Sequence, residues 1–192
     1  MSAFHGAVAG GMGLYVFLCP GGTLPDQIWY ESPPFRYTVC IVMGYAKADT
    51  LLMVLNTCLQ DRIMITHHVV MYTAAYAGSV IPVLPYYGNL WPLMELSSPF
   101  VHLRLILYRL GQERSRLYML NGILMLVTFF TCRVAPIPLW FQLAEPMATG
   151  QLHEIGPLLL FAVTILNPTI YGMNLYWFTK MCKRAYQHLY HS

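Results

Sequence analysis

Charge is what this 192-residue sequence has least of: Asp, Glu, Lys and Arg together make up 10% of it, against about 25% in soluble domains. A soluble fold of this length needs more charge than that to wet its surface, so the soluble globular class is excluded. The 11 Lys and Arg residues never gather in a run and are not interleaved with aromatics, which removes nucleic acid as a partner. No cysteine pair is spaced C-x-x-C. Cys19, Cys40, Cys58, Cys132 and Cys182 are scattered, most of them in apolar blocks. They signal neither a disulfide framework nor a zinc site, and they predict buried free thiols. Internal repeats and low-complexity tracts are missing too. What remains is apolar: 57% of the residues are hydrophobic, in long blocks rather than amphipathic stripes. The fold class this demands is all-α, a polytopic transmembrane helical bundle.

A spanning helix needs about 20 mostly apolar residues. Inside the bilayer the backbone must satisfy its own hydrogen bonds, so the spans have to be helices. Six segments meet or approach that length, at about 2–19, 36–58, 63–84, 87–108, 117–141 and 155–178, within a single domain over 1–192. Turn chemistry separates them. Pro20-Gly21-Gly22 and Ser32-Pro33-Pro34 bound the first loop, Asp61-Arg62 the second, and Gln112 to Arg116 the fourth. The first segment is short and glycine-rich. Residues 1–6 hold no Lys or Arg, so it lacks the positive start of a signal peptide and is expected to be a retained span. With six spans, one side of the membrane receives Arg62, Arg109, Arg114, Arg116, Lys180, Lys183 and Arg184. The other receives Arg36 alone, with Asp26, Glu31, Glu145 and Glu154. Short cytoplasmic loops accumulate Lys and Arg, and this seven-to-one split places both termini in the cytosol.

Ionisable side chains in lipid cost roughly 2.5–3.5 kcal/mol or more at a helix centre, so they face a protein interior or a wet cavity. At a rise of about 1.5 Å per residue, His67 and His68 lie roughly 6–8 Å inside the cytosolic start of the third span. His102 and Arg104 fall within about 10 Å of the cytosolic end of the fourth, Asp49 about 13 Å from that of the second, and Glu95 near the midplane. Arg133 is expected apart from this cluster, in the lumenal third of the fifth span. Glu95, Ser98 and His102 stand at i, i+3 and i+7 and share a face, with Arg104 on the other side. Pro99 is expected to kink the helix between Glu95 and His102. On the second span Tyr45, Asp49 and Asn56 share a face.

His67-His68 has three readings, of which metal binding fits least. Tandem side chains point about 100° apart on a helix, whereas a metal prefers i, i+4 spacing as in H-E-x-x-H. Neutral imidazole suits a general base or an acyl-accepting nucleophile. Equally, the pair packs between helices, hydrogen-bonded to Asp49, Glu95 or backbone. Glu95 is expected to find a partner in Arg104, Arg133 or a histidine. Trp29, Trp91, Trp140 and Trp177 read as interface anchors, and Lys47 as a snorkelling lysine. Lys180, Lys183 and Arg184 read as topogenic charges within reach of anionic lipid.

The order Ser2-x-x-His5-Gly6, Gly44-Tyr45 with Asp49, His67-His68, Glu95-Leu96-Ser97-Ser98-Pro99-Phe100, Arg104, Asn121-Gly122 and Phe129-Phe130 with Arg133 resembles the TLC-domain family of endoplasmic-reticulum and related membrane proteins, most closely its TLC domain-containing protein 4 branch. The resemblance runs over essentially the whole chain. E-L-S-S-P-F with a downstream Arg, placed after paired His, is its most specific part. It implies a helical bundle around a lipid-accommodating cavity, with membrane lipids as partners. In the ceramide synthases of this family, paired histidines at the positions of His67 and His68 carry acyl transfer from acyl-CoA to a sphingoid base. Carried over, this makes His67 and His68 candidate catalytic residues, one taking the proton from the acceptor amine or accepting the acyl group. Acyl-CoA is then the co-substrate, with no other cofactor and no metal. Asp49, Glu95, Ser98, His102 and Arg104 bind lipid or support the pair.

The chain departs from ceramide synthases in carrying Glu95-x-Ser-Ser-Pro-Phe where they have paired aspartates. It departs from the nearest branch in carrying His102 where Asn is expected. The resemblance also implies a further helix ahead of the first span. Many members of the branch have no assigned reaction, and others act in phospholipid composition or cargo export. The expectation is a lipid-homeostasis protein that binds or senses acyl lipids. An acyl-CoA-dependent acyltransferase and a trafficking scaffold stand as alternatives, and the oligomeric state stays open.

Overall fold

The computed structural model describes residues 2–19 and 28–190; Pro20-Gly21-Gly22 and Asp26 lie outside the described residues. Six helices make up the fold: Ser2–Leu18, Pro33–Leu55, Arg62–Val80, 85–109, Arg116–Ala148 and 157–190. Their starts follow from local chemistry. Pro33 and Pro34 sit in the first turn of the second helix, where no backbone donor is needed and φ is already helical. Asp61 Oδ1 accepts from Ile63 N at 2.9 Å and Met64 N at 3.2 Å, capping the third helix, and Ser115 Oγ accepts from Tyr118 N at 3.1 Å on the fifth. The sixth helix continues well past the end expected at 178. Residues 179–190 hold neither Pro nor Gly, so the fall in hydropathy there marks a change of surroundings and does not stop the helix.

The second, fifth and sixth helices are long and apolar enough to cross a membrane, and the first is a shorter apolar helix. Their outer faces carry exposed Leu51, Leu55, Leu120, Ile123 and Val127, a surface suited to lipid and not to water. The helices pack as a ring in the order first, second, third, sixth, fifth, fourth, and back to the first. One end of the ring is filled by an apolar core that includes Leu84, Leu143, Leu152, Ile155, Leu159 and Ile170. Toward the other end the axis is lined by polar groups.

Glycine explains how the first helix reaches the ring. Gly6, Gly10 and Gly13 form a stripe against the fourth helix: a Cβ at Gly13 would stand 2.8 Å from Leu93 N, and one at Gly10 would meet the backbone of Glu95 and Leu96. Such small-residue stripes let backbones approach where lipid supplies no hydrophobic drive. Asn89 Nδ2 fixes the contact by donating to Gly13 O at 2.9 Å.

Two helices depart from α geometry beside the polar groups. Pro99 lacks the N–H that would bond the Glu95 carbonyl, so Ser98 N–H takes it and Glu95–Ser97 becomes a 3-10 turn. In the fifth helix Phe130–Val134 forms a π turn, closed by Ala135 N to Phe130 O at 2.9 Å.

Two sequence expectations change. All five cysteines are free as expected, yet none is buried: Cys40, Cys58 and Cys182 are exposed and Cys19 and Cys132 half-buried. An apolar neighbourhood in a membrane helix is as often the lipid face as the core. Trp29 stays exposed, but Trp91, Trp140 and Trp177 are half-buried and turn inward. Trp91 Nε1 donates to Asn167 Oδ1 at 3.0 Å and Trp140 Nε1 to the Tyr171 hydroxyl at 2.8 Å, so buried partners hold these indoles.

Candidate functional site: a polar cavity on the ring axis

A cavity of about 420 Å³ lies within the ring, walled by five helices. The second contributes Tyr45 and Asp49. The third contributes Met64, His67, His68 and Met71, spaced i, i+3, i+4, i+7, so both tandem histidines fall on one inward stripe. Glu95, Ser98, Val101 and His102 come from the fourth, Phe129 and Arg133 from the fifth, and Trp177, Lys180, Met181 and Arg184 from the sixth.

Arg133 organises the inner wall. Its Nε donates to Ser97 Oγ at 2.8 Å, Nη1 to Asn174 Oδ1 at 3.1 Å and Nη2 to Ser98 Oγ at 3.0 Å. Nη2 also faces Glu95 Oε1 at 3.6 Å, while Ser98 Oγ donates to Glu95 Oε2 at 2.7 Å. The guanidinium packs over the Phe129 ring at 5.0 Å. A buried charge pair stands only when its remaining donors and acceptors are met, and here the two serines and Asn174 meet them. The expectation that Arg133 stands apart from the cluster is therefore corrected: it lines the same cavity. Counted at α rise from the ends of their spans at 87 and 141, Glu95 and Arg133 both stand about 12 Å in, so they share a depth.

The histidines form a second layer. His67 and His68 are both buried, with ring centroids 5.7 Å apart. His68 Nδ1 stands 3.6 Å from Asp49 Oδ2, an ion-pair distance and too long for a hydrogen bond. The Tyr45 ring meets His68 edge-on at 5.9 Å and stacks on His5 at 3.9 Å. His67 meets the Trp177 indole edge-on at 5.2 Å. Nδ1 of both paired histidines and Nε2 of His5 are buried without a hydrogen-bond partner among the described residues. Among those residues no group of three or more His, Cys, Asp or Glu side chains is placed to hold a metal ion.

Of the seven side chains singled out from sequence, His67, His68, Asp49, Glu95, Ser98 and His102 meet at the cavity. Arg104 does not. Its Nη1 donates to Tyr118 O at 3.0 Å and its guanidinium covers the Tyr118 ring at 3.9 Å, pressed against bare Gly122. It clamps the fourth helix to the fifth. Asn56 ends the second helix, donating to Leu52 O at 2.8 Å, and does not extend the Tyr45–Asp49 face. Sequence reasoning assigned no site role to His5, Ser97, Asn174 and Trp177. His5 and Ser97 stood in the quoted motifs, and Asn174 and Trp177 are one helical turn apart on the sixth helix, which is the signal that could have found them.

The TLC-domain family profile matches residues 1–183. TLC domain-containing protein 4-B of Xenopus laevis is 31% identical over 194 residues, covering 100% of this chain and 74% of that protein. TLC domain-containing protein 4 of Homo sapiens is 32% identical over 186 residues, covering 95% of this chain and 71% of its own. TLC domain-containing protein 2 of Danio rerio is 25% identical over 182 residues, covering 88% and 71%. No solved structure matches the chain. An all-helical ring with apolar outer faces, polar motifs converging on its axis and a family match over nearly its full length lead to one conclusion: the chain is a membrane protein of the TLC-domain family.

Proposed function

We propose that the chain binds or senses an acyl lipid inside its helical ring and serves lipid homeostasis in the endoplasmic-reticulum membrane, with both termini in the cytosol. The observation that carries this reading is the cavity itself. Its volume of about 420 Å³ falls within the roughly 300–1,000 Å³ of small-ligand sites. It is polar at Asp49, Glu95, Ser98, Arg133 and the histidines, carries Lys180 and Arg184 at one end, and is apolar at Met64, Met71, Val101, Phe129 and Met181. Met71 also borders a smaller recess of about 60 Å³, lined by apolar groups such as Phe35, Val39 and Leu159. An amphiphile fits that gradient, with its head among hydrogen-bonding groups and its tail directed past Met71. The orientation rests on the seven-to-one split of basic residues.

The test is native mass spectrometry of protein purified in mild detergent, wild type beside Val101→Trp, which puts an indole into the cavity. Wild type is expected to retain one acyl lipid per chain, and the variant several-fold less with an unchanged melting temperature. Equal retention by both, or none by wild type, contradicts lipid binding in the ring.

A second reading, an acyl-CoA-dependent acyltransferase, is favoured by one observation: the His67 and His68 rings line the cavity while their Nδ1 atoms are buried with no hydrogen bond among the described residues, and the Asp49 carboxylate flanks His68 Nδ1. Imidazole so placed can take the proton of an acceptor amine as it attacks a thioester. Under this reading purified protein given palmitoyl-CoA and a sphingoid base releases CoA. The His67→Ala/His68→Ala variant, folded equally well, does not.

A further inference from the structure

The sixth helix presents Trp177, Lys180, Met181 and Arg184 to the cavity. Their i, i+3, i+4, i+7 spacing makes one stripe, with the aromatic inside and two cations toward the end of the helix. Trp177 touches His67, so Lys180 and Arg184 stand about 5 and 10 Å further along the axis than the histidine layer. Lys183, on the same turn, does not line the cavity. Side chains at i and i+4 have Cβ atoms about 5–6 Å apart, close enough for Lys180 and Arg184 to hold one phosphate together.

Their charges are unanswered. The cavity wall carries Arg133, Lys180 and Arg184 against Glu95 and Asp49. Glu95 faces Arg133, and Asp49 faces His68. Among the described residues neither Lys180 nor Arg184 forms an ion pair with a carboxylate. Lys180 Nζ rests over the Tyr176 ring at 5.1 Å, its hydroxyl 3.4 Å away. Two exposed cations at the edge of an amphiphile-sized cavity ask for an anion on the ligand.

Resting on the lipid-binding reading, we infer that the ligand is a phosphate-bearing amphiphile whose phosphate is held between Lys180 and Arg184 while its acyl chain enters the ring. A lysophospholipid and an acyl-CoA share this chemistry. Three probes of one chain length separate them: palmitoyl-lysophosphatidate, palmitoyl-CoA and uncharged monopalmitoylglycerol, each titrated into the purified full chain. The Lys180→Ala/Arg184→Ala variant is expected to bind the phosphate ligand about 10- to 30-fold more weakly, with monopalmitoylglycerol unchanged. Lys183→Ala is expected to match wild type for all three. Whichever phosphate probe shows the loss is the source. An undiminished affinity for both phosphate probes, with monopalmitoylglycerol still bound, overturns the phosphate site and leaves lipid binding standing. An equal loss in Lys183→Ala assigns the effect to general surface charge and overturns it as well. Failure of wild type to bind any of the three overturns both readings.

Discussion

Arg133→Leu is expected to destabilise the fold by about 3–5 kcal/mol, the usual consequence of leaving a buried charge without its partner. The guanidinium ties three helices through Ser97, Ser98 and Asn174 and faces Glu95. Leucine fills a similar space but supplies no donor, so the Glu95 carboxylate loses its counter-charge inside the ring. Asn174 Oδ1 loses its donor at the same time. The readout is the yield of monodisperse protein in detergent and its thermal melt, both expected to collapse. Arg133→Leu/Glu95→Leu removes the stranded charge and is expected to recover part of the loss, a coupling that a double-mutant cycle measures directly. A single variant that melts like wild type would show that the Arg133 network is ornamental.

Gly10→Val is the second large effect. A Cβ at Gly10 meets the backbone of Glu95 and Leu96, and backbone cannot rotate out of the way as a side chain can. The first helix must move outward, giving up the Asn89 bond to Gly13 and the stacking of His5 on Tyr45. Overpacking alone costs typically about 1–3 kcal/mol, and loosening a helix-to-helix contact adds to that. Gly11, one residue away, has open space around its Cα, so Gly11→Val is expected to be tolerated. The pair is compared by detergent melts. Equal melting of the two variants would contradict the close approach.

Spacing and depth carry the sequence reading furthest on the second, third and fourth helices, on the fourth even through its 3-10 turn at Glu95–Ser97. The i, i+3, i+7 set of Glu95, Ser98 and His102 lines the cavity, and so do His67, His68 and Asp49. It falls short at three places. Counting depth from the cytosolic ends alone sets Arg133 apart from Glu95, whereas a count from the opposite ends brings them level, and the two meet. Hydropathy falls at 178, which makes Lys180 and Arg184 topogenic charges beyond the span on sequence alone, although the helix runs on to Tyr190. Arg104 goes the other way: its place in the motif suggests a site role, while its position on the opposite face already separates it from Glu95, Ser98 and His102, and it meets Tyr118 instead. The inward tryptophans and the unburied cysteines share one cause. In a bilayer both faces of a helix are apolar, so residue polarity no longer tells inside from outside.

The measurement that tests the central claim most directly is photo-cross-linking with a palmitoyl chain bearing a mid-chain diazirine, followed by peptide mass spectrometry of the full protein. An acyl lipid held in the ring predicts label on cavity-wall residues such as Met71 and Val101, and less of it in Val101→Trp. Label confined to outward-facing Leu120, Ile123 and Val127, with the cavity wall unmodified, would mean that the protein merely sits in lipid and would contradict the account.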